Sequence, residues 1–168
     1  DNRGVGKSDA PPGPYDLSMM ARDAMAVLDD VGVDRAHVMG ASMGGVISQI
    51  VGVLHADRVR SLTLACTACR QLPWRRELLA EWAALAEVEG MGAFVQRNAR
   101  WLFGARSFRR LQPLIGPVGG LALNSSPHSF IAQVDAILAA DETLREELHR
   151  VAVPTLILVG SQDILTPR

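Results

Sequence analysis

The sequence predicts an α/β fold in which a parallel sheet is flanked by helices. Two strand-like segments, at about 36–40 and 61–65, enclose a helix that begins at Gly44 and runs to about His55. A strand, a helix and a strand in this order form a right-handed parallel crossover. A third, strongly apolar strand is predicted at 153–160. With 168 residues, 48% of them hydrophobic and 21% charged, the chain is long enough to enclose a hydrophobic core.

Charge and hydropathy exclude several classes of protein. The net charge is −1 and basic residues are interspersed with acidic ones, so the chain has no field that would recruit nucleic acid or an anionic membrane. No apolar run approaches the roughly 18 residues of a membrane span, and no segment resembles a signal peptide. We therefore expect a cytoplasmic protein without a nucleic-acid or membrane partner, and we expect no cofactor and no metal.

The first predicted element is an amphipathic helix that lies on the sheet. Asp16 or Ser18 is available as its N-cap, and Gly32 ends it. Asp34 and Arg35 then turn the chain into the first strand. The apolar residues that recur with the period of a helix are Leu17, Met20, Ala21, Ala24, Val27, Leu28 and Val31.

The segment Gly40-Ala41-Ser42-Met43-Gly44 joins the first strand to the next helix. A strand that reverses into a helix within about one turn forces Ser42 toward a positive φ, which costs about 1–3 kcal/mol. Side chains at Gly40 and Gly44 would collide with the strand and helix that they join. The bend exposes the Ser42 hydroxyl and places the Met43 N–H at a helix N-terminus, where it can stabilise an oxyanion.

Phosphate binding is the alternative interpretation of the glycines. The turn at Ser42 could belong to a nucleotide-binding fold, and residues 4–8, Gly-Val-Gly-Lys-Ser, end like a phosphate loop. However, Asp1 stands where that motif needs its first glycine. The helix that should follow is opposed by three prolines, Pro11, Pro12 and Pro14.

Cys66 and Cys69 form a C-x-x-C pair at the end of the second strand. Such a pair could be a redox motif or half of a zinc site. The second half of a zinc site is absent, and no helix start follows Cys66. The pattern favours small residues at a strand end.

Residues 70–140 predict consecutive helices without a strand. The helices are expected to break near Gly116–Gly120 and to resume from Pro127 to Ala140. All the tryptophans of the chain lie in this segment, namely Trp74, Trp82 and Trp101. They either line an apolar substrate pocket beneath a lid or pack the segment onto itself.

A charged helix at 142–150 leads into the third strand, which has Pro154 near its start. Asp163 follows that strand.

Three segments together resemble the α/β-hydrolase superfamily, in its subgroup of cap-bearing esterases and lactonases. Residues 1–9, Asp-Asn-Arg-Gly-Val-Gly-Lys-Ser-Asp, are similar to the family's D-x-R-G-x-G-x-S loop. Residues 40–45 are similar to its nucleophile elbow, and residues 153–163 to the strand that delivers its acid. The resemblance implies a partial α/β-hydrolase fold with core segments 1–69 and 141–168 and an inserted helical cap at 70–140.

The resemblance also implies a mechanism. Ser42 would be the nucleophile, the Met43 N–H an oxyanion donor, and Asp163 the acid that orients the base. Asp163 is then expected at the same edge of the sheet as Ser42, at the end of a neighbouring strand. Gly40 and Gly44 would be the glycines of the elbow. Family members with an aspartate nucleophile are disfavoured, so a small ester, lactone or thioester is the implied substrate.

A general-base histidine follows the acid in this family, at a position beyond Arg168. The other histidines, His37, His55, His128 and His149, do not occupy a base position that the resemblance provides. We expect a fragment whose first strands are missing, which would leave the strand at 36–40 as an unpaired edge prone to self-association. The alternative function is a non-catalytic hydrolase-like domain that binds a small apolar ligand or a partner.

Overall fold

The computed structural model of the chain describes residues 1–122, 126–140 and 143–167. Short 3₁₀ turns at Ala56–Arg58 and Leu148–Arg150 accompany the regular elements. In chain order those elements are α1 (Leu17–Asp30), β1 (Ala36–Ala41), α2 (Met43–Leu54), β2 (Val59–Ala65), α3 (Pro73–Leu102), α4 (Ala105–Ala122), α5 (Pro127–Ala139), α6 (Thr143–Glu147) and β3 (Thr155–Leu158). The predicted start of the charged helix, Glu142, lies outside the described residues.

The chain divides into two compact units. Asp1–Pro14 and Leu72–Leu138 form one, which we call the helical unit. Tyr15–Gln71 and Ala139–Arg168 form the other, which we call the sheet unit. In the described part of the chain, no helix is both long enough and apolar enough to cross a bilayer.

The sheet unit contains a three-stranded parallel sheet in the order β1-β2-β3. The predicted α/β class and the parallel crossover from β1 through α2 to β2 are confirmed. Ala41 pairs with Ala65, and Ala65 pairs with Leu158, so all three strands end at the same edge. Within the described sheet, β1 and β3 are the edge strands.

Helix α2 covers one face of this sheet. Leu62 and Leu64 of β2 are buried, and so are Ile47 and Val51 of α2. The helix comes so close that a Cβ on Gly52 would lie 2.7 Å from the Leu62 side chain. Burial of these aliphatic side chains is the main favourable term in the stability of the unit.

Helix α1 begins and ends as its capping residues predict. Asp16, rather than Ser18, is the N-cap, and its side chain accepts a hydrogen bond from the Met19 N–H at 2.6 Å. Gly32 ends the helix with φ 67°. The predicted apolar stripe is only half correct, because Val27 and Val31 are 62% and 61% exposed. The buried side chains are Leu17, Met20, Ala21 and Met25.

The helical unit is held together by aromatic contacts. The rings of Trp82 and Phe94 meet edge to face at 5.4 Å, and those of Phe94 and Phe130 lie 4.6 Å apart. Trp82 is buried, whereas Trp74 is exposed. Trp82 and Phe94 stand on either side of Gly90, where φ 81° and ψ 173° interrupt α3.

The predicted helix break near Gly116–Gly120 is wrong. Helix α4 continues through this segment to Ala122. The apolar residues Phe108, Leu111 and Ile115 lead into it with the period of a helix. Periodicity over the whole helix therefore outweighs the local propensity of glycine and proline to end it.

The phosphate-loop alternative is also wrong. Residues 4–8 form a tight loop closed by the Gly4 N–H and the Asp9 carbonyl at 2.8 Å, and no helix begins before Leu17. The Asp1 carboxylate lies 3.5 Å from the Lys7 amide. A phosphate would therefore meet a carboxylate where it needs unpaired amides.

Candidate active site

Ser42 lies between the end of β1 and the start of α2. Its φ of 52° and ψ of −118° confirm the predicted positive φ. The serine is exposed, and its side chain makes no capping hydrogen bond to α2. A residue with a Cβ pays about 1–3 kcal/mol for this conformation, so the surrounding structure must hold it in place.

Backbone hydrogen bonds on both sides hold Ser42. Its N–H donates to the Ala65 carbonyl at 3.0 Å. Its carbonyl accepts from the Gly45 N–H at 2.9 Å and from the Thr67 hydroxyl at 2.7 Å. The peptide groups of the elbow are thus engaged, while the hydroxyl stays at the surface.

Close packing explains why residue 40 is a glycine, but it does not explain the glycine at position 44. A Cβ on Gly40 would collide with the Gly44 carbonyl oxygen and with the Ser48 Oγ. A Cβ on Gly44 would meet nothing within 4 Å, so the predicted collision there is wrong. The second close approach is at Gly45, where a Cβ would collide with the side chain of Thr67.

Met43 is the first residue of α2. Its N–H is therefore among the amides of the first helical turn that have no acceptor within the helix. Such amides carry the positive end of the helix dipole. The geometry beside the Ser42 hydroxyl suits an anionic oxygen.

Asp163 lies in the turn that follows β3, and its carboxylate is well provided with donors. Oδ1 accepts from the Leu165 N–H at 3.0 Å and from the Thr166 N–H at 2.9 Å. Oδ2 accepts from the Thr166 hydroxyl at 2.7 Å.

These donors keep Asp163 ionised. Partial burial raises the pKa of Asp163, but the hydrogen bonds from the Thr166 side chain, the Thr166 amide, Cys66 and the Leu165 amide outweigh it. The pKa of Asp163 therefore lies below its ordinary value of 3.8. At neutral pH the site contains a fixed negative charge at the edge where Ser42 lies.

The strand order brings Ser42 and Asp163 to one edge of the sheet, with the end of β2 between them. The Cys66 N–H donates to the Leu158 carbonyl of β3 at 2.8 Å. Cys66 itself has a positive φ of 45° and is exposed. Both cysteines are free thiols.

Several residues of this edge were not predicted from the sequence. The sequence gave no signal for Thr67, Gln49 or Thr166. Cys66 was weighed as a redox or zinc residue and then predicted to be a small residue at a strand end. Gln49 is 3% exposed, and its Nε2 donates to the Ala68 carbonyl at 3.3 Å. The rule that parallel strands place functional groups at their carboxyl ends could have indicated Cys66.

The described histidines make no hydrogen bond to Ser42. The Nδ1 of His37 lies 2.7 Å from the Ser61 Oγ, and that of His149 lies 2.6 Å from the Glu146 carbonyl oxygen. His55 follows the end of α2, about 20 Å along the helix from Ser42 at ~1.5 Å per residue. His128 is an exposed residue of the helical unit.

A parallel sheet with a strained, exposed serine between a strand and a helix defines a class of α/β proteins with a nucleophile elbow. A model of the alpha/beta hydrolase fold family matches residues 1–168. The chain therefore belongs to the α/β-hydrolase family.

Three similar proteins illustrate its place in that family. A putative carbamate hydrolase RutD of Azorhizobium caulinodans is 29% identical over 99% of this chain and 63% of its own length. The 3-oxoadipate enol-lactonase 2 of Acinetobacter baylyi is 26% identical over 99% of this chain and 61% of its own length. The crystal structure of the enol-lactonase from Burkholderia xenovorans LB400 has 30% identity and a TM-score of 0.88, with 99% of this chain and 63% of that one covered. The chain thus spans a little over three fifths of the length of these relatives.

Proposed function

We propose that the protein is a serine hydrolase that cleaves small carboxylic esters, lactones or thioesters through an acyl-enzyme on Ser42. The observation that carries this proposal is the backbone of Ser42, which is strained, exposed and followed at once by a helix. A strained conformation of this kind persists only where the surroundings enforce it, and it is concentrated at functional sites.

Ser42 would act as the nucleophile. Its hydroxyl oxygen attacks the carbonyl carbon, its proton passes to a base, and the carbonyl electron pair moves onto oxygen. The Met43 N–H at the start of α2 would hydrogen-bond to that oxyanion. Collapse expels the alcohol, which takes up the proton, and leaves an ester on Ser42 that water then cleaves by the same steps.

Asp163 would orient the base and stabilise its protonated form. A serine hydroxyl near its ordinary pKa is a poor nucleophile, so the proton must pass to a positioned group. Following the family resemblance, we assign this role to a histidine imidazole. The ionised Asp163 at the same edge of the sheet is the acceptor that such an imidazole needs on its other nitrogen.

The relatives support this substrate class. Two of them are named enol-lactonases and one a putative carbamate hydrolase, all names that imply attack at an acyl carbonyl. We retain the proposal that residues 70–140 form an inserted cap domain between core segments 1–69 and 141–168. Its apolar residues favour a hydrophobic acyl or alcohol portion.

A fluorophosphonate probe tests the nucleophile. The protein is expressed from the complete reading frame that contains residues 1–168, and the labelled peptide is identified by mass spectrometry. We expect labelling at Ser42 and complete loss of labelling in Ser42→Ala. Hydrolysis of p-nitrophenyl acetate should fall by about 10⁴-fold or more in the same variant.

Ser61→Ala is the matched control, because Ser61 is a serine whose hydroxyl contacts a histidine ring. This variant should keep both labelling and hydrolysis. Labelling that survives in Ser42→Ala, or a wild-type protein that the probe does not label, would overturn the proposal.

A further inference from the structure

Helix α4 lies at the surface of the helical unit. Over residues 105–115, only Phe108 and Ile115 are half-buried, and the other side chains are exposed. These two residues are seven positions apart, so they lie on one side of the helix. The helix packs against α3, and most of its circumference in this segment faces solvent.

The charge around α4 differs from the charge of the whole chain. Residues 90–134 contain five arginines and neither aspartate nor glutamate, although the net charge of the chain is −1. Arg97 pairs with Glu89 at 2.6 Å, and Arg100 lies over the Trp101 ring at 5.4 Å. The remaining three arginines belong to α4.

Arginines and apolar side chains share the exposed surface of α4. Arg106, Arg109 and Arg110 are exposed and take no part in the ion pairs that the described residues form. Leu111 is exposed beside them, and Leu114, one helical turn after Arg110, is 57% exposed. Two more apolar residues are exposed just before the helix, Leu102 and Phe103.

This combination of side chains limits what can cover the surface. A second copy of α4 would place arginine against arginine, and a hydrophilic polyanion would leave the leucines in water. Anionic phospholipid satisfies both groups, because its phosphates accept hydrogen bonds from guanidinium and its acyl chains take up apolar side chains. A basic amphipathic helix is typical of proteins that lie in the interface of a bilayer.

We propose that α4, together with Leu102 and Phe103, docks on a membrane surface that contains anionic phospholipid. The helix lies along that surface and does not cross it, in agreement with the absence of a membrane-spanning helix among the described residues. The expectation of no membrane partner rested on the charge of the whole chain, which conceals the local excess of arginine. This inference goes beyond the proposed function and does not depend on Ser42.

Vesicle co-sedimentation tests the docking. The protein is expressed from the complete reading frame that contains residues 1–168. Vesicles of phosphatidylcholine alone are compared with vesicles of equal amounts of phosphatidylcholine and phosphatidylglycerol. We expect binding to the mixed vesicles and little binding to phosphatidylcholine, with a loss of binding as salt screens the charges.

Substitution of the α4 arginines tests the electrostatic part. Each arginine near an anionic surface strengthens binding by about fivefold, so Arg106→Gln, Arg109→Gln and Arg110→Gln combined should weaken the partition by about 100-fold. Three exposed arginines of other helices provide the charge-matched control, Arg22→Gln, Arg76→Gln and Arg145→Gln. The combined control should weaken binding by about threefold or less. Circular dichroism verifies that both variants are folded.

Substitution of an exposed leucine tests the apolar part. Leu114→Gln should weaken binding to the mixed vesicles by about three- to fivefold, because a half-exposed leucine no longer enters the acyl boundary. Val88→Gln is the control. Val88 is 82% exposed, but it stands between Glu87 and Glu89, so it should not contribute to binding.

Three outcomes would overturn the proposal. The first is equal binding to the two kinds of vesicle, and the second is equal loss of binding in the α4 variant and in its charge-matched control. The third is binding to polyglutamate or to duplex DNA without binding to the mixed vesicles, which would assign the surface to an acidic protein or a nucleic acid. Fluorophosphonate labelling of Ser42 is expected to be unchanged in every variant, so a failure here is distinguishable from a failure of the proposed function.

Discussion

Ser42 and Cys66 occupy equivalent positions at strand ends of the sheet unit, but different elements follow them along the chain. Each comes directly after the last residue of its strand, β1 or β2, and each has a positive φ, 52° and 45°. Both are exposed. A helix begins directly after Ser42, whereas no helix follows Cys66 until α3 begins at Pro73.

The next element along the chain decides what the strained residue can do. After Ser42, the Gly45 and Val46 amides of α2 bond to the Ser42 carbonyl, and the hydroxyl lies beside the positive end of the helix dipole. After Cys66, side chains of Thr67 and Gln49 hold the turn instead. Because no helix begins directly after Cys66, this turn provides no helix dipole beside the thiol. Strain alone therefore does not make a nucleophile.

The largest effect is expected at the glycine on which the Ser42 elbow depends. Gly40→Ala puts a methyl group against the Gly44 carbonyl oxygen and the Ser48 Oγ. Because a backbone carbonyl cannot move without shifting α2, we expect the free energy of unfolding to fall by about 2–3 kcal/mol. Urea unfolding followed by circular dichroism measures it.

Gly44→Ala is the matched control for this prediction. Its Cβ would meet open space within the first turn of α2. Alanine favours the helix over glycine, so this variant should be about 0.5–1 kcal/mol more stable. Equal destabilisation by the two substitutions would show that the elbow is not held by the close approach at Gly40.

The sequence alone predicted those structural features whose interacting residues are close together along the chain. The pentapeptide at 40–44 contains the strand end, the strained serine and the helix start, so the conformation of Ser42 could be predicted from neighbours along the chain. Asp16 and Gly32 likewise limit α1 by contacts within a few residues.

The sequence did not predict contacts between residues that are distant from each other along the chain. The steric neighbour of Gly45 is Thr67, and the Thr67 hydroxyl donates to the Ser42 carbonyl across the edge of the sheet. Such contacts depend on strand order and register, which local patterns do not contain. Gly44 was predicted to be packed for that reason, although the close approach belongs to Gly45.

A smaller effect is expected at the link between the two turns. Thr67→Val keeps the shape that packs against Gly45 but removes the hydroxyl that donates to the Ser42 carbonyl at 2.7 Å. That carbonyl retains the Gly45 N–H as a donor. We therefore expect a loss of about 0.5–1.5 kcal/mol in the free energy of unfolding.

Thr63→Val in β2 is the control for Thr67→Val. Thr63 is half-buried like Thr67 but makes no such contact with Ser42. It should change the free energy of unfolding by less than Thr67→Val does. If the two variants were equally destabilised, the hydroxyl bond would not be the link between the turn after β2 and the elbow.

The smallest effect is expected from glycine substitutions that compare the backbone strain at Ser42 with that at Cys66. Glycine removes the cost of a positive φ, about 1–3 kcal/mol, but loses about 0.5–1 kcal/mol through the greater freedom of the unfolded chain. Ser42→Gly should therefore raise the free energy of unfolding slightly, although it abolishes the nucleophile. Cys66→Gly should give a similar small gain, because Cys66 also has a positive φ. Ala41→Gly, at a neighbouring position without a positive φ, should only destabilise. If Ser42→Gly destabilised the protein as much as Ala41→Gly, no strain would be stored at the elbow, and the two strand ends would differ only in the presence of a helix directly after Ser42.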